Sequence, residues 1–179
     1  LPRFAADDVL TAIRSEQVTT ISLAPTMLAM LLEHPDRSIE DLSTLRRIGY
    51  GASAMPLDLL RRTLDELPAV GLAQGYGMTE LSGNAVFLGP DEHRRAALDE
   101  PWLLAAAGRP APLVQVRIAD DAGNEVATGE RGEVLVRGAG DVEGVGVGED
   151  LFVAVGRGVP HDHAVASGDA LAADLGVGR

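Results

Sequence analysis

Gln74-Gly75-Tyr76-Gly77-Met78-Thr79-Glu80 follows directly on the apolar run Val70-Gly71-Leu72-Ala73. The run reads as a short buried strand. The seven residues after it read as a turn at its carboxyl end, where open α/β sheets tend to carry functional loops. Tyr76 offers a flat face on which a purine stacks. Gly75 and Gly77 clear side chains from places where a ligand must approach the backbone. Thr79 offers a hydroxyl to a phosphate oxygen, and Glu80 a hard carboxylate oxygen of the kind Mg²⁺ takes. Read without its surroundings, the same stretch is also compatible with an ordinary turn.

Upstream, Phe4 to Gln17 places Val9, Leu10 and Ile13 at helical spacing, with Asp7 and Asp8 near the start. Val18 to Leu23 is β-branched and reads as a strand. Pro25 opens a helix over Thr26 to His34, whose Met27 and Met30 suit a core, or else the adaptable wall of an acyl pocket. After a polar connection over Asp36 to Ser43, Leu45 to Tyr50 reads as a strand, Gly51 to Pro56 as a tight turn, and Leu57 to Leu67 as an amphipathic helix. Val70 to Gln74 is then the next strand. Strand, helix, strand, with small-residue turns after both strands, is the order of a parallel sheet.

Downstream the pattern changes. Asn84 to Leu88 suits a strand and Pro90 to Leu98 a charged helix or loop, with Asp91 to Arg95 as an exposed face. Leu113 to Ala119 and Glu133 to Arg137 alternate apolar and polar residues around a turn at Asp120 to Asn124, which predicts hairpins with one solvated face. The chain therefore reads as α/β over residues 1–107, a small β-hairpin subdomain over 108–138, and a Gly- and Val-rich, poorly structured tail over 139–179.

Composition narrows the function. The chain has 179 residues, 46% of them hydrophobic, and a net charge of −12. That is enough for a core and opposes nucleic-acid binding, which needs a basic footprint. There is no cysteine, so thiolate chemistry and disulfides are excluded, compatible with a cytoplasmic location. No apolar run is long enough to span a bilayer, and Leu1 to Phe4 begin without a signal pattern, as a fragment would. Ser53 and Ser82 stand in no nucleophile-elbow pattern, so hydrolase chemistry has no support. His161-Asp162-His163 reads as a solvated turn rather than a metal site.

Four segments occur in one order: Pro25-Thr26-Met27-Leu28, Tyr50-Gly51-Ala52-Ser53-Ala54-Met55-Pro56, Gln74 to Glu80, and Gly129-Glu130-Arg131-Gly132-Glu133 continuing to Gly138. In this arrangement the chain resembles the adenylate-forming (AMP-binding) enzymes over Phe4 to Gly138, and among them bacterial fatty-acyl-CoA ligases. The resemblance implies a part of the large N-terminal domain of a ligase that uses ATP, Mg²⁺ and CoA to convert a carboxylic acid, a fatty acid in the nearest subfamily, into its CoA thioester through an acyl-adenylate. It implies that Gly51, Ala52 and Ser53 lie along the adenine and beside the acyl pocket, and that Gln74, Gly75 and Tyr76 form the other side, within a motif that continues through Gly77 and Met78. It gives Thr79 the α-phosphate and Glu80 the Mg²⁺, as the catalytic pair. The Gly-Glu-Arg-Gly-Glu stretch suits a structural hairpin.

The departures are equally specific. The family's phosphate loop with its Lys would precede residue 1, and the mobile domain with the catalytic Lys would follow residue 179. The family's Gly-Tyr-aromatic segment is missing after Gly138. Ser167-Gly168-Asp169 stands near the place of its Thr-Gly-Asp, which would put Asp169 on the ribose. Two other readings stay open: a non-catalytic nucleotide- or acyl-binding fragment, and an adenylation domain that loads a carrier protein.

Overall fold

Apolar residues at helical spacing open the first element, α1 (Ala6–Glu16), which buries Val9, Leu10 and Ile13. Asp7 and Asp8 lie in its first turn, favourable to the helix dipole. It ends where Gln17 turns left-handed and its side-chain amide caps the Arg14 carbonyl at 2.8 Å. The computed structural model describes residues 3–81, 83–137, 153–157 and 171–172. Contacts within the chain separate into two units, Leu1–Gln74 with Gly89–Leu104, and Gly75–Leu88 with Ala105–Arg179.

In the first unit β1 (Thr20–Leu23) pairs in parallel with β2 (Arg47–Gly51), Leu23 standing opposite Tyr50. The connection runs through α2 (Pro25–Leu32), with Pro25 pre-set for the first turn. Leu28, Leu31 and Leu32 of α2 are buried, while Met30 is exposed. The leucines supply the core, each contributing roughly 1.5–3 kcal/mol when fully buried. The polar connection expected over residues 36–43 contains a short 3₁₀ turn at Ile39–Leu42. After β2, α3 (Leu57–Glu66) buries Leu60 and Thr63. Glu66 accepts from Arg62 at 2.6 Å and also pairs with Arg37, while Arg62 donates to the Leu32 carbonyl at 3.0 Å and so ties α3 to the end of α2. The Arg62 hydrogen bond leads the Arg37 one in holding the Glu66 carboxyl below its usual range, against the opposing effect of burial. The ambiguous segment after Gly89 is a helix, α4 (Pro90–Leu98), stopped on its N-terminal side by the Glu92 carboxylate accepting from the Gly89 N–H at 3.1 Å.

The strand β3 (Gly71–Met78) begins in this unit and continues into the second. It is longer than the sequence pattern predicts. The expected turn over residues 74–80 is extended backbone as far as Met78, followed by a 3₁₀ turn at Thr79–Leu81. The reason lies in the next strand, β4 (Gly83–Leu88), which is hydrogen-bonded to β3. A Cβ on Gly77 would overlap the Gly83 carbonyl oxygen and the Asn84 Cα, and one on Gly75 would overlap the Asn84 side chain. These glycines make room for the neighbouring strand.

In the second unit β4 pairs antiparallel with β5 (Ala106–Pro110), Phe87 opposite Arg109. Gly108 has φ +114°, and a Cβ there would overlap the Phe87 carbonyl, a position open only to glycine. The small-residue run Ala105 to Gly108 gave no strand signal, since alanine favours helices. A second sheet is formed by β6 (Gln115–Ala119) and β7 (Glu133–Arg137), antiparallel with Ile118 opposite Val134. The expected turn over Asp120 to Asn124 is present after β6, with Asp120 accepting from the backbone N–H groups of Ala122 at 2.9 Å and Asn124 at 2.8 Å. These hydrogen bonds, the Asn124 N–H first, hold the Asp120 carboxyl low. Ala85, Val86, Ala107, Ile118, Val134 and Val136 form one core. That shared core puts residues 75–88 with the later strands, whereas the sequence reading placed them in the α/β portion and set the boundary near Gly108.

Within the tail expected to be poorly structured, β8 (Val153–Arg157) pairs antiparallel with β7, and β9 (Leu171–Ala172) with β5. The remainder of 139–179 lies outside the described residues. No helix among the described residues is long and apolar enough to cross a membrane.

Candidate active site

In the first unit, the candidate residues gather at the ends of β2 and β3. Gly51 ends β2, and Ala52 and Ser53 lie exposed in the bend after it. Ala52 takes the left-handed conformation, φ 65°, which costs an alanine on the order of 1 kcal/mol. Gln74 lies half-buried in β3, and the hydroxyl of Tyr50, the residue before Gly51, stands 3.2 Å from the Gln74 amide oxygen. The structure thereby joins the small-residue turn to Gln74.

Beneath that contact is a group absent from the sequence expectations. His93 of α4 is 1% exposed, and its Nε2 stands 2.8 Å from the Tyr50 hydroxyl. Its Nδ1 stands 2.7 Å from the Gly89 carbonyl oxygen. The expectation of an exposed charged face over Asp91 to Arg95 is therefore corrected at His93, because one side of α4 packs inward through His93 and Ala96. The spacing of three between these two residues was the available signal, and the charged neighbours obscured it. The Tyr50 ring meets the imidazole edge-on, with centroids 5.6 Å apart. Burial pushes the Tyr50 phenol well above its usual range. Burial also lowers the His93 pKa, against the Gly89 hydrogen bond and the Glu92 carboxylate.

A pH dependence follows. The unfolded His93 takes up a proton near its ordinary value of 6.5, and the folded one at a lower pH. Stability is therefore intact above pH 6.5 and falls as pH drops from 6.5 toward the folded value, by at most about 1.4 kcal/mol per pH unit. Urea midpoints measured from pH 7.5 to 5.5 should show this decline, and the decline should vanish in His93→Phe. A wild-type midpoint flat over that range contradicts it.

In the second unit, Gly75, Tyr76, Gly77 and Met78 continue along β3 into Thr79 and Glu80 of the 3₁₀ turn. Tyr76 is half-buried and packs against the Ala85–Val136 core, and desolvation raises its phenol pKa. Tyr76 thus serves the core without being fully covered. Thr79 is exposed at the strand's end, and Glu80 follows it in the backbone. No group of three or more His, Cys, Asp or Glu residues suited to a metal is present among the described residues. A single carboxylate at Glu80 is nevertheless the donor that Mg²⁺ takes when phosphate oxygens supply the rest of its shell. The Gly129–Gly132 stretch is structural: the Glu130 carboxylate accepts from the Ala127 N–H at 3.2 Å, and a Cβ on Gly132 would overlap the Ala119 carbonyl. Asp169 and His161-Asp162-His163 lie outside the described residues.

Comparison with known proteins gives a consistent picture. The family described as AMP-binding enzyme matches residues 1–145. The indoleacetate–CoA ligase of Aromatoleum aromaticum is 37% identical over 76% of this chain and 25% of its own length. The fatty acid–[acyl-carrier-protein] ligase of Streptomyces coeruleorubidus is 37% identical over 74% of this chain and 25% of its own. Among solved structures, o-succinylbenzoate CoA synthetase from Bacillus subtilis, in complex with its acyl-adenylate intermediate, is similar at a TM-score of 0.64 and 34% identity, over 77% of this chain and 26% of that one. The chain thus spans about a quarter of the length of the curated relatives it matches.

Proposed function

The chain belongs to the AMP-binding enzyme family, and from that premise we propose that it forms part of an ATP-dependent, AMP-forming acid–CoA ligase that acts through an acyl-adenylate. The observation that supports this reading is the Tyr50 hydroxyl, 3.2 Å from the Gln74 amide oxygen, in the residue just before the turn Gly51 to Ser53.

In this reading Gly51, Ala52, Ser53 and Gln74 contact the adenine, with Gly75, Gly77 and Met78 as the backbone of the motif. Tyr76 stacks on the base. Thr79 donates its hydroxyl to an α-phosphate oxygen, and a fixed donor there stabilises the charge that grows when a carboxylate attacks phosphorus. Glu80 holds Mg²⁺, which when bound supplies positive charge against the phosphate oxygens. Asp169 is assigned to the ribose. The acid is assigned as a fatty acid, in keeping with the fatty-acid relative, and CoA as the acceptor, in keeping with the CoA-ligase relatives. The relative named for an acyl carrier protein supports a second reading in which the acyl group passes to a carrier. Supplying each acceptor to the same acyl-adenylate separates the two.

The 179-residue chain has no lysine, so it lacks the compact cationic donors that phosphoryl chemistry uses on several sides. By itself it is expected to show negligible carboxylate-dependent pyrophosphate exchange. The same residues within a full-length synthetase should support exchange. Robust turnover by the chain alone contradicts the assignment of partial machinery, and no exchange in the full-length context contradicts the ligase reading.

A further inference from the structure

The contacts around His93 leave a question of proton count. The Gly89 carbonyl only accepts, so the imidazole nitrogen 2.7 Å from it, Nδ1, carries the ring proton. Nε2 is then an acceptor, and the Tyr50 hydroxyl 2.8 Å away must donate to it. The opposite tautomer would set a lone pair of Nδ1 against the Gly89 carbonyl, and burial disfavours the doubly protonated ring.

A phenol has one proton. Committed to His93, Tyr50 can meet Gln74 only as an acceptor, at the separation of 3.2 Å. The structure sets the Gln74 amide oxygen in that place, where it faces a second acceptor. Exchanging the two ends of the amide lets its NH₂ group donate to Tyr50 and turns its oxygen to the other side. Amide oxygen and nitrogen occupy equivalent volumes, so the turn needs no repacking.

We propose that His93, acting through Tyr50, is a positioning residue that directs the Gln74 amide oxygen outward, so that the site selects a base with an exocyclic amino group over one with an oxo group. The proposal rests on the nucleotide reading of Gln74 given above. Each member has one role. Gly89 sets the tautomer, His93 takes the phenolic proton, Tyr50 takes an amide proton, and Gln74 is left with an acceptor to offer. An amide without this restraint rotates to serve either base edge. A restrained one leaves the wrong edge unpaired, and unpaired buried groups are what produce strong discrimination.

The test is titration of the full 179-residue chain with AMP and with IMP, which differ at the 6-amino or 6-oxo group, together with long-range ¹H–¹⁵N correlation of the His93 ring. Wild type should carry its proton on Nδ1 and bind AMP at least about tenfold more tightly than IMP, a difference of about 1.4 kcal/mol. Tyr50→Phe removes only the hydroxyl and should bring the two affinities within about threefold. Gln74→Met, which deletes the amide and leaves the relay whole, should lose the same preference and keeps the proposal testable if Tyr50→Phe does not fold. An Nε2–H tautomer in wild type, or an AMP preference that survives either substitution, overturns the proposal and leaves the nucleotide reading standing. A wild-type chain that binds neither nucleotide overturns both.

Discussion

Replacing Gly77 by alanine is expected to disrupt the second unit, lowering stability by more than about 3 kcal/mol, the upper end of overpacking costs. The added methyl meets the Gly83 carbonyl oxygen and the Asn84 Cα. Both belong to the backbone of β4, so no rotamer change relieves the overlap, and the strands must separate. Moving β4 disturbs Ala85 and Val86, which are buried in the core with Ala107, Ile118, Val134 and Val136. Gly75 supplies the internal control. Its added methyl meets the side chain of Asn84, which is exposed and free to swing away, so Gly75→Ala should cost only about 1 kcal/mol. Urea denaturation followed by far-ultraviolet circular dichroism measures both. Equal midpoints for wild type and Gly77→Ala would mean that the glycine is not there for β4, and would return it to the role of admitting a ligand.

The second large effect concerns Glu80 and Tyr76 within a full-length synthetase that carries these residues. Glu80→Gln keeps size and hydrogen bonding and removes the charge assigned to Mg²⁺. Loss of one group aimed at developing phosphate charge costs roughly 100-fold or more in kcat, by analogy with single oxyanion donors, while the KM for ATP changes little. Tyr76→Ala removes a stacking surface worth about 1–3 kcal/mol per base, a contact made with ground state and transition state alike. Its effect should therefore fall on the KM for ATP, by about five- to 100-fold. The packing of Tyr76 against the second-unit core means that the alanine variant also loses stability. Tyr76→Phe separates the two effects, because it keeps the ring in the core and under the base. It should leave the KM for ATP within about twofold. Kinetics that are unchanged in Glu80→Gln and Tyr76→Ala would reduce the motif to a strand end and a turn.

Much of the α/β organisation was legible in the sequence because its signals are local. The spacing of Val9, Leu10 and Ile13 specifies the buried face of α1 regardless of what covers it. Pro25 marks the start of α2, and the alternation in Gln115 to Ala119 and Glu133 to Arg137 is that of a hairpin with one face on a core. The family, too, was legible, because the Gln74 to Glu80 motif and the turn Tyr50 to Pro56 are contiguous words.

Tertiary structure decided the features that depend on residues distant in sequence. Whether Gln74 to Met78 is turn or strand depends on β4 lying beside it, and nothing within those five residues records that neighbour. The reason for Gly75 and Gly77 is likewise a partner, Gly83 and Asn84, and glycine has the same letter whether it makes room for a ligand or a strand. His93 is the clearest case. In the sequence it stands among Asp91, Glu92, Arg94 and Arg95, where charge predicts exposure. In the fold it is buried, because its side of α4 faces inward and its two nitrogens find partners in Gly89 and Tyr50, the latter 43 residues away in the chain. A buried imidazole is tolerable only when both nitrogens are satisfied. The sequence by itself determined the locally patterned elements and the family; the packing of strand on strand and the pairing of buried polar atoms, which are long-range by nature, decided the length of β3 and what holds Gln74.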